Sequence, residues 1–131
     1  MVGLLPFLLL LAGVGVVGCA PDAPSRASAA TPAQQQVELL VFSAKWCSVC
    51  RNVPPVLKRL EAEFPEVTIR ELDVDDDEAG KLAAEYGADA LPYYFVRVDG
   101  EVVARQRGFL PYAEARQFLR AAMNRANAAK R

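Results

Sequence analysis

The sequence predicts an α/β fold: a central four-stranded mixed sheet flanked by helices, with elements in the order β-α-β-α-β-β-α. Three observations lead there. Val37 to Ser43 (VELLVFS) is a short, nearly unbroken apolar run, the pattern of a strand buried on both faces. Two stretches of helical apolar spacing follow, with a second strand pattern between them; parallel strands of this kind are joined by right-handed crossovers. Asp99-Gly100 then separates two strand-like runs, a hairpin signal because both central turn positions need positive φ.

The elements follow in order. After the first strand, Val53, Val56, Leu57, Leu60 and Phe64 recur at helical spacing, with Lys58, Arg59, Glu61 and Glu63 between them, so a helix is expected over Val53 to Phe64. Val67 to Leu72 alternates loosely and reads as the second strand. Asp75 to Tyr86 is acidic at its start and stops at Gly87, as a capped helix does. Tyr93 to Val98 and Glu101 to Gln106 form the hairpin. The last helix runs from about Pro111 to Asn127, where a proline in the first turn loses no hydrogen bond. Roughly 90 residues are enough for a small independent core.

At 131 residues the chain holds one such domain, and its 53% hydrophobic content is unevenly spread. Met1 to Gly18 carries no charge and centres on Leu8 to Leu11, which suits a signal peptide over residues 1–18. Val16-Val17-Gly18-Cys19 resembles the lipobox of bacterial lipoproteins, which implies a diacylglyceryl group on Cys19 and cleavage before it. The alternatives are an uncleaved anchor helix or an ordinary signal peptide, since no Lys or Arg precedes the apolar core. Each places the domain on, or across, a membrane. Acyl chains on Cys19 would hold it there, and Ala20 as the next residue implies an outer membrane in a double-membraned bacterium. Residues 19–36, rich in Ala, Gln and Pro (Pro21, Pro24, Pro32), form a flexible tether. The folded domain spans 37–127, and 128–131 is a tail.

Composition excludes several chemistries. The chain has no histidine, which removes Ser-His-Asp and Cys-His catalysis and histidine-ligated metals. A formal charge of −1 does not suit a nucleic-acid binder. Three cysteines are too few for a disulfide framework. Trp46-Cys47-Ser48-Val49-Cys50 stands between the first strand and first helix. Cysteines at i and i+3 in a helix's first turn can close a short disulfide. When reduced, the first lies at unpaired backbone N–H groups and the positive end of the helix dipole, which stabilise a thiolate. Half a zinc knuckle and a pair of inert buried cysteines are the competing readings; zinc wants four ligands, so no metal is expected. Lys45 and Arg51 read as a solvated rim, and Asp73 to Glu78 as a helix-start charge cluster. Arg116, Arg120 and Arg125 form a basic stripe, solvated or facing anionic lipid.

From Val37 to about Met123 the chain resembles the thioredoxin family. Trp46 precedes the first cysteine, Pro55 stands where the family has a helix-kinking proline, and Leu91-Pro92 falls at its cis-proline. Asp99-Gly100-Glu101 matches its hairpin, and Gly108 follows the fourth strand. The resemblance implies Cys47 as nucleophile, Cys50 as resolving thiol, and Trp46, Leu91, Pro92 and Gly108 as the substrate contacts. It implies a structural role for Pro55 and no cofactor beyond the redox-active Cys47–Cys50 pair. A cis proline has no N–H, which leaves the Leu91 main chain free to pair with a substrate strand. More narrowly, WCSVCR, LPYYF and GFLP resemble the membrane-anchored thioredoxin-like proteins of thylakoids and cyanobacteria. That implies a reductant of exported disulfide proteins, such as apocytochromes; a membrane electron donor to recharge it and a monomeric state are further expectations. A disulfide oxidase or isomerase, or a non-catalytic assembly adaptor, is the alternative. The family's buried Asp six residues before the first cysteine is Val41 here, the spacer is Ser48-Val49, and the family's first strand and helix are replaced by the tether.

Overall fold

A computed structural model describes residues 34–131. The expected signal segment, Cys19 and most of the tether lie outside the described residues. The described elements are β1 (Val37–Ser43), α1 (Val53–Glu63), β2 (Val67–Asp73), α2 (Asp77–Tyr86), β3 (Tyr93–Val98), β4 (Glu101–Arg107) and α3 (Tyr112–Ala129). A 3-10 turn over Val49–Asn52 precedes α1. The sheet order is β2-β1-β3-β4, with β1 parallel to β2 and antiparallel to β3, and β4 antiparallel to β3. This is the mixed four-stranded α/β architecture that the patterning predicts.

β1 takes a central place because it is apolar on both sides, and Leu39 to Phe42 are at most 1% exposed. Val37, Leu39 and Val41 pack in one cluster with Val53, Val56, Leu57 and Leu60 of α1 and Ala115, Leu119 and Ala122 of α3. Leu40 and Phe42 point the other way, toward Ala83 of α2 and toward Tyr93 and Phe95. On that second face the Phe42 and Phe95 rings meet edge to face, 5.5 Å between centroids. The alternation of a strand thus feeds two separate cores.

Element ends differ from the sequence expectation in physically simple ways. Asp76 has extended backbone angles and caps α2, so that helix begins at Asp77 rather than Asp75. The Asp75 N–H donates instead to Asp73 Oδ1 at 3.0 Å. Gly87 closes α2 in the left-handed region, φ 67°. Asp99 and Gly100 have φ 50° and 88°, as the hairpin requires. Opposite β4 the register shifts between Val96, which faces Ala104, and Arg97, which faces Val102. Pro111 is the cap of α3 rather than a first-turn residue, and α3 continues to Ala129, two residues beyond the expected domain end.

Two polar clasps tie distant segments. Glu63 at the end of α1 accepts hydrogen bonds from the Tyr112 hydroxyl, from Arg116 Nε at 2.6 Å and from Arg120 at 2.8 Å. Two arginines of the expected basic stripe are therefore engaged with α1 rather than simply solvated. At the hairpin tip, the Gln36 N–H donates to Asp99 Oδ1 at 3.0 Å, the Asp99 N–H donates to the Gln36 carbonyl at 2.8 Å, and Lys130 donates to Asp99 Oδ2 at 2.7 Å. No helix among the described residues is long and apolar enough to cross a membrane.

Candidate active site

β1 delivers the chain to the site. After buried Ser43 and Ala44 the backbone turns, and the Cys47 N–H donates to the Ala44 carbonyl at 3.1 Å. Lys45 and Trp46 are thrown outward, with Trp46 69% exposed. Cys47 and Cys50 are joined as a disulfide, their Cα atoms 5.3 Å apart. The two sulfurs are not equivalent: Cys50 is 3% exposed, whereas Cys47 is only half-buried.

The sequence places this pair in the first turn of an α-helix. The structure places Cys50 in a 3-10 turn that runs directly into α1, with Cys47 just ahead of it. The reason is Pro54-Pro55, which lies in the first turn of α1. Neither proline has an N–H, so the i→i−4 ladder cannot run back through them to the carbonyls of Cys50 and Arg51. The Val53 N–H bonds to the Cys50 carbonyl instead, a tighter i→i−3 closure. Pro55 therefore sits exposed in a first turn, where a missing donor is harmless, and does not kink a continuous helix.

Across from the dithiol, the Leu91–Pro92 peptide is cis, as the resemblance implies. Pro92 is buried, and its carbonyl accepts the Gly108 N–H at 2.8 Å. Gly108 has φ 81°, a conformation that side chains other than glycine rarely tolerate. A groove of about 490 Å³ runs beside Cys47, between Trp46 and Leu91, and is floored by Gly80, Ala83 and Ala84 of α2. Trp46, Cys47 and Leu91 thus share one surface; Pro92 and Gly108 do not line it, and Pro92 follows Leu91 directly in the chain. Val49, 47% exposed, adds apolar surface nearby. Cys19 lies outside the described residues.

A second cavity of about 300 Å³ lies on the other side of the dithiol. Cys50, Ser43, Glu71 and Asp73 line it, with Lys45 and Arg51 at its rim. The Ser43 hydroxyl donates to Glu71 Oε1 at 2.9 Å. Lys45 approaches Asp73 at 3.8 Å and is itself 91% exposed, so the solvated-rim reading fits it. Glu71 and Ser43 are site residues that the sequence reading misses, because they meet only through the β1–β2 register. The small α2 residues of the groove escape it for a like reason, since the helical pattern shows spacing but not what each face overlooks. Of the acidic run, only Asp77 and Glu78 occupy the first turn of α2, with Asp76 as its cap; Asp73 ends β2 and lines the cavity. Among the described residues no group of three or more Cys, Asp or Glu is placed to hold a metal ion.

The comparisons agree with this geometry. The thioredoxin family model matches residues 27–121. The thioredoxin of Haemophilus influenzae is 38% identical over 82 residues, 62% of this chain and 75% of that protein. Bacillus subtilis thioredoxin is 37% identical over 75 residues, 57% and 71% of the two chains. The protein disulfide-isomerase erp38 of Neurospora crassa is 42% identical over 57 residues, 41% of this chain and 15% of that one. Among solved structures, Fasciola hepatica thioredoxin superposes with a TM-score of 0.60 at 32% identity, covering 66% of this chain and 81% of its own. With the Cys-x-x-Cys disulfide at the end of β1, these relations settle the class: the chain belongs to the thioredoxin family and is a thiol:disulfide oxidoreductase.

Proposed function

We propose that this oxidoreductase is a reductant of disulfides in exported proteins, held on the outer side of a membrane by lipid on Cys19. Cys47 is the nucleophile and Cys50 the resolving thiol. The observation that carries the assignment is their unequal exposure: only Cys47 opens onto the groove beside Trp46 and Leu91. A partner disulfide lying in that groove meets the Cys47 thiolate, which attacks one sulfur and expels the other as a thiolate. Cys50 then attacks Cys47 Sγ, closing the intramolecular disulfide and releasing the reduced partner. No histidine base is needed, because backbone N–H groups at the start of the helical segment stabilise the thiolate. Trp46 and Leu91 hold the partner, the free Leu91 main chain pairing with an extended segment beside the cis Pro92. The dithiol carries both electrons itself, and a membrane donor of unspecified identity restores it.

The direction of electron flow is what the resemblance to the thylakoid and cyanobacterial proteins supports. The likeness to a disulfide-isomerase favours a second reading, in which the same pair donates or reshuffles disulfides. The equilibrium redox potential of Cys47–Cys50 decides between them. A value near thioredoxin's, about −270 mV, is expected for the reductant, and one near −120 mV would establish a disulfide donor. Tethering has its own check. Protein purified from membranes should carry a lipid mass on Cys19, and an unmodified Cys19 there ends the lipoprotein reading.

A further inference from the structure

Cys50 is buried, yet in the resolving step it must lose a proton before it can attack. A free cysteine ionises near pH 8.5, so near neutral pH a thiol holds its proton. Val37, Leu39 and Val41 supply no titratable group from β1 on this face. From β3 comes Tyr94, wholly buried, whose phenol is pushed up by burial, with the negative charge of Glu71 adding to the effect. α1 contributes Pro54 to the cavity wall. Lys45 and Arg51 at the rim are cations. Two carboxylates remain. Asp73 is engaged on both oxygens, by the Asp75 N–H at 3.0 Å and by Lys45 at 3.8 Å. Glu71 is bonded through Oε1 to the Ser43 hydroxyl at 2.9 Å, and has no other partner among the described residues.

We propose that Glu71, oriented by the Ser43 hydroxyl, accepts the proton of Cys50 across the cavity they share. The inference rests on Cys50 being the resolving thiol. Glu71 pairs with Val41 in the parallel register, which brings a β2 carboxylate to the face on which β1 is apolar. The cavity, about 300 Å³, has the Ser43 hydroxyl and the Glu71 and Asp73 carboxylates on its wall and is large enough to hold bridging water. Glu71 is itself exposed on the edge strand, so a proton taken from the buried thiol passes on to solvent. The step balances. Cys50 S–H gives its proton to Glu71, and the resulting thiolate bonds to Cys47 Sγ. The Cys47–partner bond breaks, and the partner leaves as a thiolate that takes up a proton from solvent. Ser43 is a positioning residue.

The test uses the reduced full-length protein in a Cys19→Ser background with 5,5′-dithiobis(2-nitrobenzoate). Attack by Cys47 releases one coloured thiolate, and attack by Cys50 on the mixed disulfide releases the second. Glu71→Gln should leave the first release unchanged and slow the second roughly 10- to 100-fold near pH 7, around the low end of what a positioned general base supplies. Glu71→Asp should recover part of the rate. The gap between parent and Glu71→Gln should narrow as pH rises, because the thiol then ionises unaided. An unslowed second release, a gap constant with pH, or slowing by Asp73→Asn in place of Glu71→Gln overturns the proposal. Loss of the first release from the parent protein overturns the nucleophile assignment as well, and so is told apart.

Discussion

Cys47 and Cys50 are three positions apart, and the chain between them is bent so that Cys47 borders one groove and Cys50 a smaller cavity on the other side. That asymmetry was half legible. The spacing and the neighbouring Trp46 name the pair, and Leu91-Pro92 names the surface opposite, because these signals are local. Glu71 was not legible. Nothing near it in sequence marks it; it gains meaning only when β2 is laid against β1 with Val41 as its partner. Tyr94 is a second residue whose position only the fold reveals. Its hydroxyl is buried without a well-formed hydrogen bond, and the Leu110 backbone that faces it does so at poor geometry. An unpartnered buried hydroxyl costs about 1–3 kcal/mol, so Tyr94→Phe should raise stability, by up to about 1 kcal/mol after packing changes. Denaturant unfolding measures this. A loss of about 1 kcal/mol would show that the Leu110 contact is a real bond.

Elements were the most readable scale, because helical and strand periodicity is written in short windows. β1 falls where the apolar run predicts, and the hairpin turn falls on Asp99-Gly100. The misreadings come from backbone donors and caps. Pro54-Pro55 makes the dithiol turn 3-10 rather than α, and Asp76 delays α2, and neither effect shows in a hydrophobic pattern. α2 also illustrates how an element is fixed by close approach. A methyl group at Gly80 would lie 2.7 Å from the Val74 carbonyl oxygen, which is backbone and cannot swing aside. Gly80→Ala should therefore destabilise the fold by about 1–3 kcal/mol despite alanine's better helix propensity. Val74 borders the groove, so turnover of a protein disulfide such as insulin should fall as well. A variant as stable and active as the parent would mean that α2 moves outward freely.

At the scale of the molecule, contacts between residues far apart in sequence close the structure, and these the sequence conceals most. The Glu63 clasp spans 49 to 57 positions. The Tyr112 hydroxyl and then Arg116 hold the Glu63 carboxyl below its ordinary pKa. A depressed carboxylate contributes stability that is complete above its unfolded value, near 4.3, and is lost as pH falls through the folded one. Glu63→Gln should thus lower the melting temperature at neutral pH, with the difference from the parent shrinking in acid below about pH 4. A difference unchanged down to pH 3 would assign the effect to packing instead. The Asp99 clasp has another kind of consequence. It fastens Gln36 and Lys130, the entry and near-exit points of the folded unit, to the hairpin tip, while β1 carries the chain seven residues, roughly 20 Å, to the dithiol. Both handles of the domain thus sit at the pole away from its chemistry. A bead or a fused partner joined directly at either handle is thus attached at the far end of β1 from the dithiol, and leaves the reactive face uncovered.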